Sequence, residues 1–448
     1  MTEKFCPLPW IIQAIRNDGN LRACSNSHSS VSKGLLHKAN GSVYNAGVDN
    51  LAEAYNSEDL KSLRLSMLEN KTNPICARCD REEAQGVRSR RKVESENWSH
   101  QFTIEDAKAI TSIDGAVSTM PIYLDMRFGN KCNLKCRSCS PTDSSFWYED
   151  HAELWGQTSF NDGNKKINLI REGSKLVEDT EMYRWYENPG FWEQMFQRLQ
   201  NVEQIHTVGG EPLLIDQHFT LLEKCIEMNI AHKITVEYNS NITVIPEKAW
   251  ALWSHFKRIN IGASIDGVGR VNDYIRHPSK FENIFNNLKK IDQSPDNIFC
   301  WIATTVQVYN AHHLPELMKW VVKNKFNKVQ RFLGMPILNC HPLHNPQFLS
   351  TKILPAPIKE WISELYAECN VWMEENAHLY LEKEWAEATI IHVKEILSAY
   401  EAHMQSEDLS NLLPKFMTYT KGLDSIRKES FEHSIPELWE KLKPYTLP

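Results

Sequence analysis

Apolar positions along the chain change texture twice. Between residues 119 and 342, short apolar runs recur at 122–127, 204–208, 234–238, 259–265, 299–306 and 329–333. Helical patterns lie between them, as at 219–228 and 281–291, where apolar residues return at three- and four-residue steps. Strand–helix alternation predicts parallel strands with helices outside. Six such units predict an α/β fold, either a partial (β/α)6 barrel or an open parallel sheet. Such folds gather their chemistry at the C-terminal ends of the strands.

The flanks read differently. Residues 1–118 are polar, interrupted by Gly, Asn and Ser, with little sustained periodicity. They predict a loop-rich domain whose thin core calls for a metal. Residues 343–448 are helical, with apolar steps at 358–373 and 386–403. The expected domains are therefore 1–118, 119–342 and 343–448. An insertion at 140–199 separates the first predicted strand from the second. It carries Trp147, Trp155, Trp185 and Trp192 and predicts a packed helical insert, with a substrate-facing lid as the alternative.

Composition narrows the class. Of the 448 residues, 42% are hydrophobic and 24% charged, enough to bury a core. The formal net charge of −7 argues against broad nucleic-acid binding, which wants a basic surface. No run approaches the roughly 20 apolar residues of a membrane span. Residues 1–10 lack a charged start followed by an apolar stretch, so no export signal is read and a cytoplasmic protein is expected. The 11 cysteines are an odd number, which suits metal ligands better than a disulfide framework.

The strongest chemical signal is Cys132-Asn-Leu-Lys-Cys136-Arg-Ser-Cys139. Three thiolates at this spacing can bind three corners of a [4Fe–4S] cube and leave the fourth iron open to a small molecule. A zinc site is the bland alternative. The second signal is Gly209-Gly210-Glu211-Pro212, directly after the second predicted strand. Its glycines permit close backbone approach, and its carboxylate can bind an ammonium group.

Together these motifs resemble the radical S-adenosylmethionine (SAM) superfamily over residues 119–342. The resemblance implies a radical SAM barrel in which the open iron binds the amino and carboxylate groups of SAM. It implies that Glu211 holds the amino group, within the Gly209, Gly210, Glu211, Pro212 motif. Asn239-Ser240-Asn241 and Ser264-Ile-Asp266 look like the family's ribose contacts. Arg276 looks like the arginine that meets the SAM carboxylate, and residues 306–310 sit where the family holds adenine. One departure stands out. The residue before the third cysteine is usually aromatic in the family and here is Ser138, so Phe128 or Phe146 is expected to cover that face.

A second set, Cys6, Cys24, Cys76 and Cys79, has enough thiols to saturate one centre. Asp18-Gly19 reads as a hairpin turn that brings Cys6 to Cys24, and Cys76-Ala-Arg-Cys79 completes the set. The ligand set resembles the auxiliary-cluster domains called twitch and SPASM, although here the domain precedes the barrel. That implies an auxiliary iron–sulfur cluster, with a structural zinc as the alternative.

Enzymes with such domains often modify ribosomally made peptides by crosslinking or epimerisation. The resemblance therefore implies a peptide or protein substrate and an electron donor such as flavodoxin or ferredoxin. Radical modification of a sugar, nucleotide or amino acid is the alternative, and a non-catalytic metal-binding module is a third class. Epimerisation would need a hydrogen donor, for which Cys340 and Cys369 are the candidates. Cys225 and Cys300 read as buried apolar residues. The basic run at 88–92 reads as a solvated surface, with leader docking as its functional alternative. Asp424 and Arg427 read as a charge pair within one helix.

Overall fold

In the computed structural model the short apolar runs form strands and the stepped patterns form helices. The structure describes residues 4–27, 34–84, 88–163, 165–329 and 338–445. In chain order the strands are β1 (Ile12–Ile15), β2 (Leu21–Arg22), β3 (Tyr123–Phe128), β4 (Ser159–Asp162), β5 (Lys165–Glu172) and β6 (Lys175–Glu178). They continue with β7 (Gln204–Gly209), β8 (Thr235–Ser240), β9 (Arg258–Ser264), β10 (Ile298–Val306) and β11 (Leu338–Pro342). The fold is mixed α/β, and its principal strands run mostly parallel. Two units divide it. The first comprises Met1–Lys131, Thr180–Glu237 and His255–Lys257; the second comprises Cys132–Asp179, Tyr238–Ser254 and Arg258–Pro448.

In the first unit β3 is central. It pairs parallel with β7, Tyr123 opposite Gln204, and parallel with β1, Ile12 opposite Tyr123. β2 closes antiparallel on β1. All four residues of β1 are buried, as expected of a strand covered on both faces. The predicted Asp18-Gly19 turn forms: Gly19 N donates to Arg16 O at 2.9 Å, with Gly19 at φ 79°. The 1–118 segment also carries more regular structure than its weak periodicity implied, including helices Glu58–Leu68 and Arg90–Trp98. β1 escapes a reading by pattern because it continues from the helical turn Leu8–Ile11 without a breaker.

In the second unit β9, β10 and β11 run parallel, with Ile298 opposite Ile259 and Ile302 opposite Leu338. Of the predicted sixth strand, 330–333 lie outside the described residues; the strand beside β10 is β11, further along the chain. The insertion also differs from the expected helical packing. After helix Trp147–Trp155 it forms an antiparallel sheet in the order β4–β5–β6. Phe160, Ile167, Leu169 and Leu176 are buried between exposed or half-buried neighbours, and positive-φ Gly163 and Gly173 lie at the two turns. That period-two alternation around Asp162-Gly163 was the sequence signal for hairpins. The C-terminal region is helical, with Ala356–Asn376, Lys383–Gln405 and Leu413–Arg427. Among the described residues no helix is long and apolar enough to cross a membrane.

Candidate functional site

In the second unit the cysteine loop is held mainly through its backbone. Lys135 N and Arg137 N donate to the carbonyls of His277 and Ile275, each at 2.7 Å. Trp147 Nε1 donates to Cys136 O at 2.9 Å, and the Tyr419 hydroxyl donates to Arg137 O at 2.7 Å. The loop is therefore anchored by partners distant in the chain.

Polar hydrogens face two of the three sulfurs. Leu134 N lies 3.4 Å from Cys132 Sγ, and Asn241 Nδ2 lies 3.9 Å from it. Arg276 Nη1 lies 4.0 Å from Cys136 Sγ. A hydrogen bond from Cys139 and the nearby Arg276 charge lower the Cys136 pKa against its burial. Cys139 keeps the proton of that bond, and its own pKa rises. This environment favours the thiolate at Cys136 and the thiol at Cys139. Among the described residues, no three His, Cys, Asp or Glu side chains close around a single ion position. A cube does not ask for that, because each thiolate binds a different iron.

Arg276 Nε is 2.8 Å from Asp266 Oδ2, and Asp266 Oδ1 accepts Thr305 N at 2.8 Å. Burial pulls the guanidinium toward neutrality, but the charges of Asp266 and Cys136 outweigh it and raise its pKa. The two residues assigned to different parts of one ligand are thus an ion pair. Asn239 is at the C-terminal end of β8, with Asn241 just beyond it, and Ser264 ends β9. Asn241 Oδ1 also accepts Thr243 N at 2.9 Å, so this side chain staples its own turn. In the segment 306–310, Asn310 Nδ2 donates to Asp266 O at 2.9 Å. Gln307 is fully buried there, and neither atom of its amide has a hydrogen-bond partner among the described residues.

Next to that segment, His312 is buried and stacks on Trp361 with ring centroids 5.7 Å apart. Its two ring nitrogens have no hydrogen-bond partner among the described residues. Burial, and then the neighbouring His313, push its pKa down to about 3. The unfolded histidine takes a proton near pH 6.5, while the folded one stays neutral. Stability is therefore fully present above pH 6.5 and is lost as the pH falls toward 3. At pH 5 the loss from His312 is about 2 kcal/mol. His312→Phe keeps the stack and should flatten the change between pH 7 and pH 5 by that amount, read by urea unfolding.

Several residues around the loop carry no motif in the sequence. Arg137 is fully buried, 2.5 Å from Asp424 Oδ1 and 2.8 Å from Glu429 Oε2, with its guanidinium 3.6 Å from the Tyr274 ring centroid. Asp150 receives Lys135 Nζ at 2.5 Å and Arg427 Nε at 2.7 Å. The expected pairing of Asp424 with Arg427 inside their helix is replaced by these two separate bonds to the loop region. The reason is geometric: both side chains point off the helix into buried sites of opposite charge.

In the first unit the glycine motif ends β7. Gly210 N donates to Gly129 O at 3.1 Å, and Glu211 N to Lys131 O at 2.8 Å. A Cβ on Gly210 would sit 2.2 Å from the Lys131 carbonyl oxygen. The glycine is thus required by the chain's own backbone. Gly210→Ala should cost at least about 2 kcal/mol in urea unfolding, since backbone lies on both sides of the clash. Glu211 is buried and accepts Leu213 N at 3.2 Å, while Pro212 starts the turn Pro212–Leu214. Phe128 packs in the core, with Trp185 and Trp192 stacked at 6.1 and 6.3 Å. In the second unit Phe146 is exposed.

Also in the first unit, Cys6, Cys24, Cys76 and Cys79 line one cavity of about 20 Å3, together with Arg90 and Arg91. Asn26 Nδ2 lies 3.6 Å from Cys79 Sγ. Burial raises the Cys6 and Cys24 thiols and pushes Cys76 up to about 12, with the neighbouring thiols adding to it. Metal binding here would release protons. Arg90 and Arg91 pair with Glu94 and Asp80 through Nη2, while Arg90 Nε, Arg91 Nε and Arg91 Nη1 are buried without hydrogen-bond acceptors among the described residues, which leaves donors for an anionic centre. Gly86, which follows this set in the sequence, lies outside the described residues.

The two candidate hydrogen donors differ in setting. Cys340 is partly exposed on β11, opposite Thr304 and near Asp266, whose charge adds to burial in raising its pKa. Cys369 is buried in helix Ala356–Asn376, its sulfur 3.9 Å from the Pro315 carbonyl, and burial pushes it up to about 12.

No family model matches this chain, and no curated protein matches it. Three solved structures of Streptococcus suis SuiB are similar at low level. The complex with precursor peptide SuiA shares 14% identity at a TM-score of 0.31, covering 61% of this chain and 55% of that one. The complex with S-adenosylmethionine shares 15% at 0.30, covering 74% and 66%, and SuiB alone shares 13% at 0.30, covering 69% and 62%. The chain thus spans between 55% and 66% of the length of these three structures.

Proposed function

We propose that this chain is a radical SAM enzyme that modifies a ribosomally made peptide. Cys132, Cys136 and Cys139 would hold a [4Fe–4S] cluster with one iron open to SAM. The observation that carries this reading is the cysteine loop itself, anchored by long-range backbone bonds, with N–H groups directed at Cys132 and Cys136. With SAM bound and one electron from a flavodoxin- or ferredoxin-like donor, such a centre supplies methionine and a 5′-deoxyadenosyl radical, which takes a hydrogen atom from a substrate C–H bond.

The chain's residues would bind and orient. Arg276, kept charged by Asp266, would meet the SAM carboxylate beside Cys136. Glu211 would take the ammonium group. Asn239, Asn241, Ser264 and Asp266 would serve the ribose. The unpartnered Gln307 amide is the group within 306–310 with hydrogen bonds left for adenine. Arg137, Asp424 and Glu429 would keep the loop in one conformation. The matching architecture is a partial (β/α)6 barrel at 119–342, a twitch-like domain at 1–118 and a helical region at 343–448.

The four-cysteine cavity would hold an auxiliary iron–sulfur cluster that passes electrons. A single zinc ion is the second reading, since a four-cysteine set suits zinc as well, although it would require the thiols to draw together, because no three of them close around one ion position. If the reaction is epimerisation, Cys340 would return the hydrogen atom, since it lies on β11 opposite Thr304 and near Asp266, whereas the Cys369 sulfur faces the Pro315 carbonyl; crosslinking would need no donor. Formation of 5′-deoxyadenosine under anaerobic reduction, by wild type and by a variant lacking the three loop cysteines, tests the reading.

A further inference from the structure

The second unit contains a cleft of about 940 Å3 with Cys139 in its lining. That volume lies near the upper end of the range of about 300–1,000 Å3 common for small-ligand sites. Trp155, Phe348 and Tyr419 form an aromatic wall, with Trp155 stacked on Tyr419 at 6.4 Å and Phe348 against it at 5.0 Å. Ser159, Phe160 and Asn161 of β4 line the cleft as well.

β4 is an edge strand. Its register and one hydrogen bond settle which backbone groups face outward. Leu169 N donates to Thr158 O at 2.8 Å, and Ser159 is opposite Asn168. Residues 158, 160 and 162 therefore turn their N–H and C=O groups toward β5. Ser159 and Asn161 turn theirs away from it. The Ser159 carbonyl is 3.0 Å from His151 Nε2. The Asn161 N–H and C=O remain, which is the template for an added strand.

Charge narrows the occupant. The ionisable groups lining the cleft are Asp143, His151, Lys166 and the Cys139 and Tyr419 side chains. Asp143 accepts Ser140 N and Ser140 Oγ at 2.9 and 2.8 Å, and His151 is spent on β4. The exposed Lys166 ammonium forms no ion pair among the described residues.

We propose that this cleft binds an extended peptide carrying an acidic residue, as a strand added to β4 at Asn161. Its side chains lie against Trp155, Phe348 and Tyr419, its carboxylate meets Lys166, and its path runs to Cys139. The proposal rests on the radical SAM reading for the use of the peptide, but the binding itself does not.

The test is selection of a phage-displayed random octapeptide library on the full-length reconstituted protein, followed by binding of the fluorescein-labelled consensus peptide. Wild type should enrich sequences with an acidic residue. Asn161→Pro removes the outward N–H while an edge strand tolerates proline, and should weaken consensus binding at least tenfold. Trp155→Ala should weaken it without touching the backbone, and Lys166→Glu should shift enrichment to basic residues. No enrichment by wild type, or enrichment unchanged in all three variants, overturns the proposal. Selection of peptides whose binding depends on Trp155 but on neither Asn161 nor Lys166 also overturns it, since that is an aromatic pocket without strand addition. Formation of 5′-deoxyadenosine by the same preparations reports separately on the radical SAM reading.

Discussion

Changing Cys132, Cys136 and Cys139 together to alanine is expected to abolish 5′-deoxyadenosine formation under anaerobic reduction. Alanine offers no lone pair, and the neighbouring Asn241 and Arg276 present N–H groups, which cannot replace an anionic sulfur ligand. The fold should survive, because the loop is held by the Lys135 and Arg137 backbone bonds and by the Arg137 side chain. Continued 5′-deoxyadenosine formation by the variant would sink the reading. Iron, sulfide and zinc analysis with EPR on the same variant then reports on Cys6, Cys24, Cys76 and Cys79 alone. Retained iron and sulfide mark an auxiliary cluster able to carry electrons. Zinc, or no metal, makes that cavity structural and leaves one cluster in the enzyme.

Arg137→Ala should be the most damaging single substitution around the loop. The guanidinium is fully buried between Asp424 and Glu429 and lies on the Tyr274 ring. Its removal takes the shared guanidinium from Asp424 and Glu429 and leaves them only the Tyr274, Phe431 and His277 bonds, a loss of about 3–5 kcal/mol for a broken buried pair. Glu429 adds a pH dependence. Burial raises its pKa, but the bonds from His277 and Arg137 outweigh that and hold it below the ordinary 4.5. The stability it contributes is present above that value and is lost as the pH falls below it. Urea unfolding measures the cost, and iron content after reconstitution shows whether Cys136 and Cys139 still sit correctly. Adding Glu429→Gln to Arg137→Ala should recover part of the stability, because one of the two charges that lost the guanidinium is gone. A cost for Arg137→Ala below about 0.5 kcal/mol would show that the clamp does not hold the loop.

Much of the fold was legible because its signals are local. The runs at 122–127, 204–208, 234–238, 259–265 and 299–306 match β3, β7, β8, β9 and β10 closely, since β3, β9 and β10 are nearly continuous buried text and β7 and β8 alternate with a period of two. The cysteine spacing needs no structure to be read either. What escaped was decided at a distance. β1 contributes to the first unit's sheet only because it pairs with β3, a hundred residues later in the chain. The β4–β6 sheet was hidden behind the tryptophans around it, although its turn and its alternation were present.

The sequence by itself determined which thiols can act together and where strands alternate with helices, because spacing and periodicity are properties of neighbours. Only the tertiary structure decided what holds the thiols. Arg137, Asp150, Asp424, Arg427 and Glu429 look like ordinary surface charges in the sequence, and most such charges are solvated. Their meaning comes from burial, which removes the water that would otherwise screen them and leaves them dependent on one or two partners, most of them distant in the chain.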